Sequence, residues 1–529
     1  MASKDISNPF IMKRFAPLLF PVIAFLTGIL TVFSFAPYGV WGFQILCLTI
    51  LSGIIICQEK TRHAFFCGWC YGSASFGAGL YWMFISLHVY GGMNALPAAT
   101  GIALLAMFMG LLPASACLLT HLLMKRFRTG RYLTAMMLFP AFWTVFEWLR
   151  GWILSGLPWL TTGYAFTDSP MAGYAPVLGV FGISLMVSLA AGTLTCLSIA
   201  VKDRSRNLML VMVVVFVLLL SAGQSLRQIE WTTVQGEPIK VRLLQGNIAQ
   251  EAKFNPRQIY AMLDQYANMI TRQPADVIVT PETAVPIYPQ NLPAGYLDSL
   301  LAFVDASGSR LVLGIPLADS RTVYTNSLVV LSPKDSGSDR IYRYNKHHLV
   351  PFGEFVPMGF RWFVNMMHIP LGDFKRGDLI QQPFPVKGQW ILPNICYEDI
   401  FGEEIAARLR DEHASGRPVA SILLNISNIA WFGDTIALPQ HLQISRMRSL
   451  ETGRPILRAT NTGTTAFIDE YGEVVQQLPP YVQGELSFHV TGTQGMTPYI
   501  LFGNTPTVIL SVLLIILACL AARFRQKRL

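Results

Sequence analysis

"WILPNICYEDIFGEEI", Trp390 to Ile405, runs from an apolar, β-branched stretch onto Cys396 and then at once into Tyr397, Glu398 and Asp399. A short apolar run of this kind reads as a buried strand, here ending on a thiol with acids behind it. Similar runs recur on either side: "IKVRLLQGNI" (239–248), "DVIVT" (276–280), "RLVLGI" (310–315), "NSLVVL" (326–331), "QWILPNIC" (389–396) and "VASILLNIS" (419–427). Helical patterns fall between several of them, at 257–273, 294–307 and 437–451. Strands interspersed with helices predict a mixed α/β domain of packed layers. In such folds reactive groups gather where loops leave the carboxyl ends of strands.

The remainder is a different kind of sequence. Of 529 residues, 52% are hydrophobic and only 13% charged, which is too apolar for an ordinary soluble protein. A bilayer span needs about 20 apolar residues. Such runs lie at 15–36, 39–58, 64–88, 95–124, 132–154, 175–200, 207–224 and 503–522. The first is read as a span and not as a cleaved signal peptide, because further spans follow closely without a small-residue cleavage site. Lys13 and Arg14 precede it, and "EKTRH" (59–63), "KRFRTGR" (125–131) and "VKDRSRN" (201–207) fill alternate loops. The intervening loops, "HVYGGMNA" (88–95) and "SGLPWLTTGYAFTDSPMAGYAP" (155–176), carry no Lys or Arg. This asymmetry predicts an integral membrane α-helical bundle of about eight spans with both termini cytoplasmic. The expected organisation is a seven-helix membrane domain (1–224), an extracytoplasmic α/β domain (225–500), and a last span with the basic tail "RFRQKRL" (501–529). The net charge of +9 is then an orientation signal. No basic patch with interleaved aromatics accompanies it, so nucleic-acid binding is not expected.

Seven of the eight cysteines, Cys47, Cys57, Cys67, Cys70, Cys117, Cys196 and Cys519, sit in apolar runs, where cysteine behaves as a small hydrophobe. The "CGWC" at 67–70 has no βαβ pattern around it, so packing is expected there and not redox chemistry. Cys396 stands apart. "VIVTPETAVP" (277–286) places Glu282 just past a strand, and "YRYNKHHLVPFGEFVP" (342–357) carries Lys346 and Glu354. A thiol becomes a strong nucleophile once a carboxylate takes its proton. A lysine ammonium favours the thiolate and can hold an oxyanion. Each residue alone also has a plainer reading, as a solvated loop acid or a surface lysine. His347 and His348 are adjacent and lack zinc-site spacing; no metal or organic cofactor is expected.

The Glu282–Lys346–Cys396 set, in that chain order, resembles the nitrilase (carbon–nitrogen hydrolase) superfamily, whose domains are αββα sandwiches. The motifs "LQGNIAQ" (244–250), "PETA" (281–284), "YNKHHLVPFGEFVP" (344–357), "CYE" (396–398), "ISNIAWFGD" (426–434), "RMRSLETGRP" (446–455) and "TNTGTTA" (460–466) go further. With seven spans before and one after, they resemble the apolipoprotein N-acyltransferases over essentially the whole chain. That resemblance implies acyl transfer from a membrane phospholipid, phosphatidylethanolamine, onto cysteine as a thioester. The acyl group then passes to the α-amine of the S-diacylglyceryl N-terminal cysteine of an apolipoprotein. It implies Cys396 as nucleophile, Glu282 as general base and Lys346 as oxyanion stabiliser. Glu354, Tyr397 and Glu398 match residues around the thiol; Glu354 would orient Lys346, while Tyr397 and Glu398 shape the pocket or serve as buried structural partners. Trp431 joins them as a supporting residue. The implied setting is a bacterial cytoplasmic (inner) membrane, with the catalytic domain periplasmic and the protein a monomer. Two positions depart from the family pattern: Ile429 stands where an Asp is usual, and Phe254 where a Trp is usual.

Two other stretches carry expectations. "PMGFRWFVNMMHIPLGDF" (357–374) is apolar enough for a lid dipping toward the outer leaflet, or for a core helix. "FEWLRGW" (146–152) puts Glu147 and Arg150 one helical turn apart, so Arg150 either meets a substrate phosphate or pairs internally. Two other functions use the same features: a membrane-anchored amidase with water as second substrate, and a transporter or receptor whose outer domain needs no reactive thiol.

Overall fold

The computed structural model describes residues 9–320, 323–337, 339–357, 359 and 374–528. The chain forms two compact units, one of Met1–Tyr81, Leu96–Ile229 and Asn504–Leu529, the other of Trp82–Ala95 and Glu230–Gly503.

The first unit is helical. Among the described residues, five stretches are long and apolar enough to cross a membrane: Ala95–Phe127, Gly130–Arg150, Pro170–Lys202, Arg206–Leu226 and Thr505–Lys527. Leu19–Ser34 and Gly42–Cys57 are shorter apolar helices, and Thr61–Gly79 is a further helix. Arg206–Leu226 leaves Leu210, Val211, Val214, Val217 and Leu218 exposed. An apolar face of this kind suits lipid and not water. Small residues let the helices approach closely. A Cβ on Gly68 would lie 2.8 Å from Cys117 Sγ and 2.9 Å from Ala114 Cα. Gly68 belongs to the "CGWC" stretch, and Cys67 and Cys70 are free thiols, so this stretch is a helix-packing surface.

The second unit is built on two sheets. The first has the order β12-β1-β2-β3-β4-β5. Its strands are β1 (Thr233–Gln245), β2 (Val277–Val279), β3 (Arg310–Ala318), β4 (Tyr324–Leu331), β5 (Ile341–Asn345) and β12 (Gly484–Gln494). The second has the order β11-β10-β9-β8-β7-β6, with β6 (Phe384–Val386), β7 (Gln389–Ile395), β8 (Ile422–Ser427), β9 (Ile456–Thr460), β10 (Ala466–Ile468) and β11 (Val474–Gln477). At the centre of each sheet three strands run parallel, β1-β2-β3 and β7-β8-β9.

Alternation along the strands builds the layers. Val277 and Val279 join Ile422, Leu424 and Ile426 in the core between the sheets. Ile278, between the two valines, faces outward onto the helices Pro256–Thr271 and Tyr296–Ser307. On the other sheet Leu392 and Leu423 pack outward against Ile405 and Leu409 of the helix Gly402–Ala414. The result is helix, sheet, sheet, helix: the αββα sandwich that the resemblance implies. The stretch expected as a lid, 357–374, lies outside the described residues except for Pro357, Gly359 and Phe374.

Candidate active site

Glu282 follows β2, Lys346 follows β5 and Cys396 follows β7. The sandwich therefore brings strand-end residues from both sheets to one edge of the inter-sheet core. Lys346 Nζ donates to Glu354 Oε1 at 2.9 Å and to Glu282 Oε1 at 3.2 Å. Glu282 Oε2 accepts the main-chain N–H of Asn428 at 2.9 Å. Glu354 Oε2 accepts the N–H of Val350 at 2.8 Å. Asn326, on β4, donates through Nδ2 to both carboxylates, at 2.7 Å to Glu282 and 2.6 Å to Glu354. These carboxylates and the ammonium are all buried.

The electrostatics follow from that burial. Desolvation works against the charge on Lys346, but Glu282 and Glu354 outweigh it and hold the ammonium above its usual range. Burial pushes the Cys396 thiol up, as do the charges of Glu282 and Glu354, with Lys346 and the Asn428 main chain opposing. The resting thiol is thus protonated and needs a base at the moment of attack.

Cys396 itself is held in the left-handed region, with φ 53°. A non-glycine residue there costs about 1–3 kcal/mol and persists only where its surroundings fix it. Asn425 Nδ2 donates to the Cys396 carbonyl at 3.3 Å. Arg458 Nη1 donates to Asn425 Oδ1 at 3.4 Å and to Ser445 Oγ at 2.8 Å. Asp399 lies 3.7 Å from Arg458 and accepts the Ser445 hydroxyl. Arg458 also donates to His441 Nδ1, and His441 lies against the Cys396 main chain. Burial, with Arg458 beside it, holds the His441 imidazole well below its usual range and so neutral.

Glu398 clamps the turn. Its Oε1 accepts the main-chain N–H groups of His347 at 2.7 Å and His348 at 3.2 Å. Its Oε2 accepts the N–H of Ile395 at 2.6 Å, and the Tyr344 hydroxyl reaches both oxygens at 2.9 Å. Burial raises this carboxyl above the usual range, against those N–H bonds. Tyr397 stands edge-on to Phe401 at 5.3 Å, and Phe401 stacks on His348 at 3.5 Å. His347 and His348 turn their Nδ1 atoms to Gly377 O and Glu404.

Trp431 is half-buried. Its carbonyl accepts the Ser86 hydroxyl at 2.7 Å and its ring meets Tyr90 edge-on at 5.8 Å. The segment Trp82–Ala95 thus packs on the loop that also carries Asn428. Ile429 is buried against Gly463; at this loop the bond to the site comes from the Asn428 main chain, one residue earlier. The side chain of Phe254 lies outside the described residues.

Arg150 and Glu147 belong to the helical unit. Arg150 donates to the carbonyls of Leu157 and Trp159 and to Thr161 Oγ1, and its guanidinium lies 4.0 Å from Glu147. Glu147 accepts the N–H and hydroxyl of Thr162 at 3.0 and 2.7 Å. Both line a cavity of about 30 Å³ with Tyr71, Gln44 and Trp143, room for about two waters.

Sequence reasoning missed Asn326, Asn428, Lys253, His441 and Arg458. Arg458 carried one signal, a cation inside the apolar run "ILRAT".

Residues 27–193 match the apolipoprotein N-acyltransferase N-terminal domain, and residues 240–490 the carbon–nitrogen hydrolase domain. An apolipoprotein N-acyltransferase of Ralstonia nicotianae is 46% identical over 506 residues, 95% of this chain and 93% of that one. One from Bordetella bronchiseptica is 40% identical over 537 residues, 96% of this chain and 97% of that one. Among solved structures, an amidase from Nesterenkonia sp. is 17% identical with a TM-score of 0.36, covering 49% of this chain and 92% of that chain.

Proposed function

The chain belongs to the apolipoprotein N-acyltransferase family, and from that premise we propose that Cys396, Glu282 and Lys346 carry its acyl transfer as nucleophile, general base and oxyanion stabiliser. The observation that carries this assignment is the buried ammonium of Lys346 between Glu282 and Glu354, beside a thiol on a strained turn. As the Cys396 sulfur attacks the ester carbonyl of a membrane phospholipid, its proton passes to Glu282. The C–S bond forms, and Lys346 faces the developing oxyanion. The ester C–O bond then breaks, the leaving alkoxide takes the proton from Glu282, and the acyl group stays on sulfur. In the second half-reaction the α-amine of an S-diacylglyceryl cysteine attacks the thioester, the C–N bond forms and the C–S bond breaks.

Glu354 fixes Lys346, and Tyr397 and Glu398 hold the turn. Trp431 shapes the loop bearing Asn428, and Arg150 orders its own loop in the helical unit. We assign the α/β domain to the periplasmic side of a bacterial inner membrane, with both termini cytoplasmic. The alternation of basic and uncharged loops supports that orientation. Phosphatidylethanolamine is the proposed donor and a diacylated apolipoprotein the acceptor.

Intact mass after incubation with phosphatidylethanolamine tests the assignment. The native protein should gain a hydroxylamine-labile acyl mass, and Cys396→Ala should not. Discharge by a diacylated lipopeptide, and not by water, separates transfer from amide hydrolysis. No adduct on the native protein, with lipid binding demonstrated, would sink the nucleophile assignment.

A further inference from the structure

A second lysine is buried beside the thiol. Lys253, in the turn Ala252–Phe254, is 1% exposed. Its Nζ donates to the main-chain carbonyl of Glu282 at 3.3 Å. Lys346 has two carboxylates; Lys253 makes no ion pair among the described residues. Burial pushes its ammonium down to about 7, with the charges of Glu282 and Cys396 opposing. Lys346 is thus locked as a cation, whereas Lys253, buried without a carboxylate partner, can give up its proton near neutral pH and has hydrogen-bonding capacity to spare.

The proton count of the second half-reaction gives that amine a task. The acceptor arrives as an α-ammonium, since its ordinary ionisation lies at about 7.7–8.0. Converting it to an amide removes two protons from nitrogen. One returns to the Cys396 sulfur through Glu282 as the C–S bond breaks. The other needs a second acceptor, and Lys346 is already protonated. We propose that Lys253 is that acceptor: its neutral amine takes the proton from the incoming α-ammonium, which frees the nitrogen lone pair to attack the thioester. The resulting Lys253 ammonium gives its proton to solvent before the next cycle. The charged and titratable groups facing Lys253 are Glu282, from the loop after β2, and Cys396, from the end of β7. Lys346 and Glu354 stand behind Glu282. The proposal rests on the reading of Cys396 as the acylated nucleophile.

The test separates the two half-reactions on the full-length protein. Loading is followed as acyl mass gained from phosphatidylethanolamine, and discharge as its loss to a synthetic S-diacylglyceryl-cysteine peptide. Lys253→Met removes the base; Lys253→Arg keeps a long donor side chain but is fixed as a cation and cannot act as a base at working pH. In both variants discharge should slow about 100-fold more than loading. Their discharge should also climb with pH through the acceptor's own ionisation, whereas the native rate levels off above about 7. If Lys253→Arg discharges at the native rate, or if loading falls as far as discharge, the proposal is overturned. Should Lys253→Met fail to fold by thermal unfolding, Lys253→Arg decides alone. A native protein that never loads overturns the nucleophile reading, and this proposal with it. One that loads, with variants that discharge normally, overturns this proposal only.

Discussion

Lys346 Nζ lies 2.9 Å from Glu354 Oε1, closer than the 3.2 Å that separates it from Glu282 Oε1. The ammonium therefore sits nearer to Glu354 than to Glu282, the proposed base. In Glu354→Gln the full charge of Lys346 falls on Glu282 and proton transfer from Cys396 becomes harder. Loading of Cys396 should fall about 100-fold. Stopped-time mass measurements of thioester formation check this; an undiminished rate would make Glu354 a purely structural residue.

Glu398 offers acceptors on both oxygens, to His347, His348, Ile395 and Tyr344. In Glu398→Gln one oxygen becomes an NH₂ facing a main-chain N–H that then has no partner. That costs about 1–3 kcal/mol. The clamp joins the segment after Lys346 to the residue before Cys396, so loading should also fall by about tenfold or more. Denaturant unfolding and thioester mass, measured on one preparation, should show both losses together.

Three central strands were legible because they are largely buried and rich in aliphatic residues: Val277–Val279, Arg310–Ala318 and Ile422–Ser427 all lie at stretches that the apolar runs mark. The helices Pro256–Thr271 and Ala437–Thr452 also fall at their expected positions. What escaped was structure whose identity is tertiary. β9 carries Arg458 inside the core, and a buried guanidinium looks like surface until Asp399, Asn425 and Ser445 are seen around it. β12 has exposed residues along much of its length and is placed by pairing with β1, more than 200 residues away. Glu282, Lys346 and Cys396 stood out through motif order. Asn326 and Lys253 could not, since only the fold brings Asn326 to two carboxylates and Lys253 to the Glu282 carbonyl.

Glu412 supplies a prediction about stability and pH. It is 1% exposed; Oε2 accepts the Ala420 N–H at 2.9 Å, while Oε1 has no partner among the described residues. Burial pushes its carboxyl up from 4.5 to about 7, against Ala420, Arg408, Arg417 and Arg454. The unfolded chain ionises at the lower value, so the native state loses stability as pH rises from about 4.5 to 7, by up to about 3 kcal/mol. Glu412→Gln removes the titration and should be more stable than the native protein above pH 7. Below the ordinary carboxylate range the two should converge. Thermal unfolding across that window checks the sign; a variant less stable at alkaline pH contradicts the assignment.

Asp399 and Arg458 are fully buried and lie 3.7 Å apart, with Ser445 and Asn425 completing the links to the Cys396 carbonyl. Burial raises the Asp399 carboxyl and Arg458 opposes that. Arg458→Met leaves a buried acid without its cation, a change that costs about 3–5 kcal/mol. The double variant Arg458→Met with Asp399→Leu removes both charges and should recover part of that loss. Activity should not recover with it. Asn425 loses the guanidinium in both variants, so Cys396 is no longer held at its positive φ, and loading should stay about tenfold or more below native. Stability restored together with loading would mean that the network holds only the core and not the nucleophile.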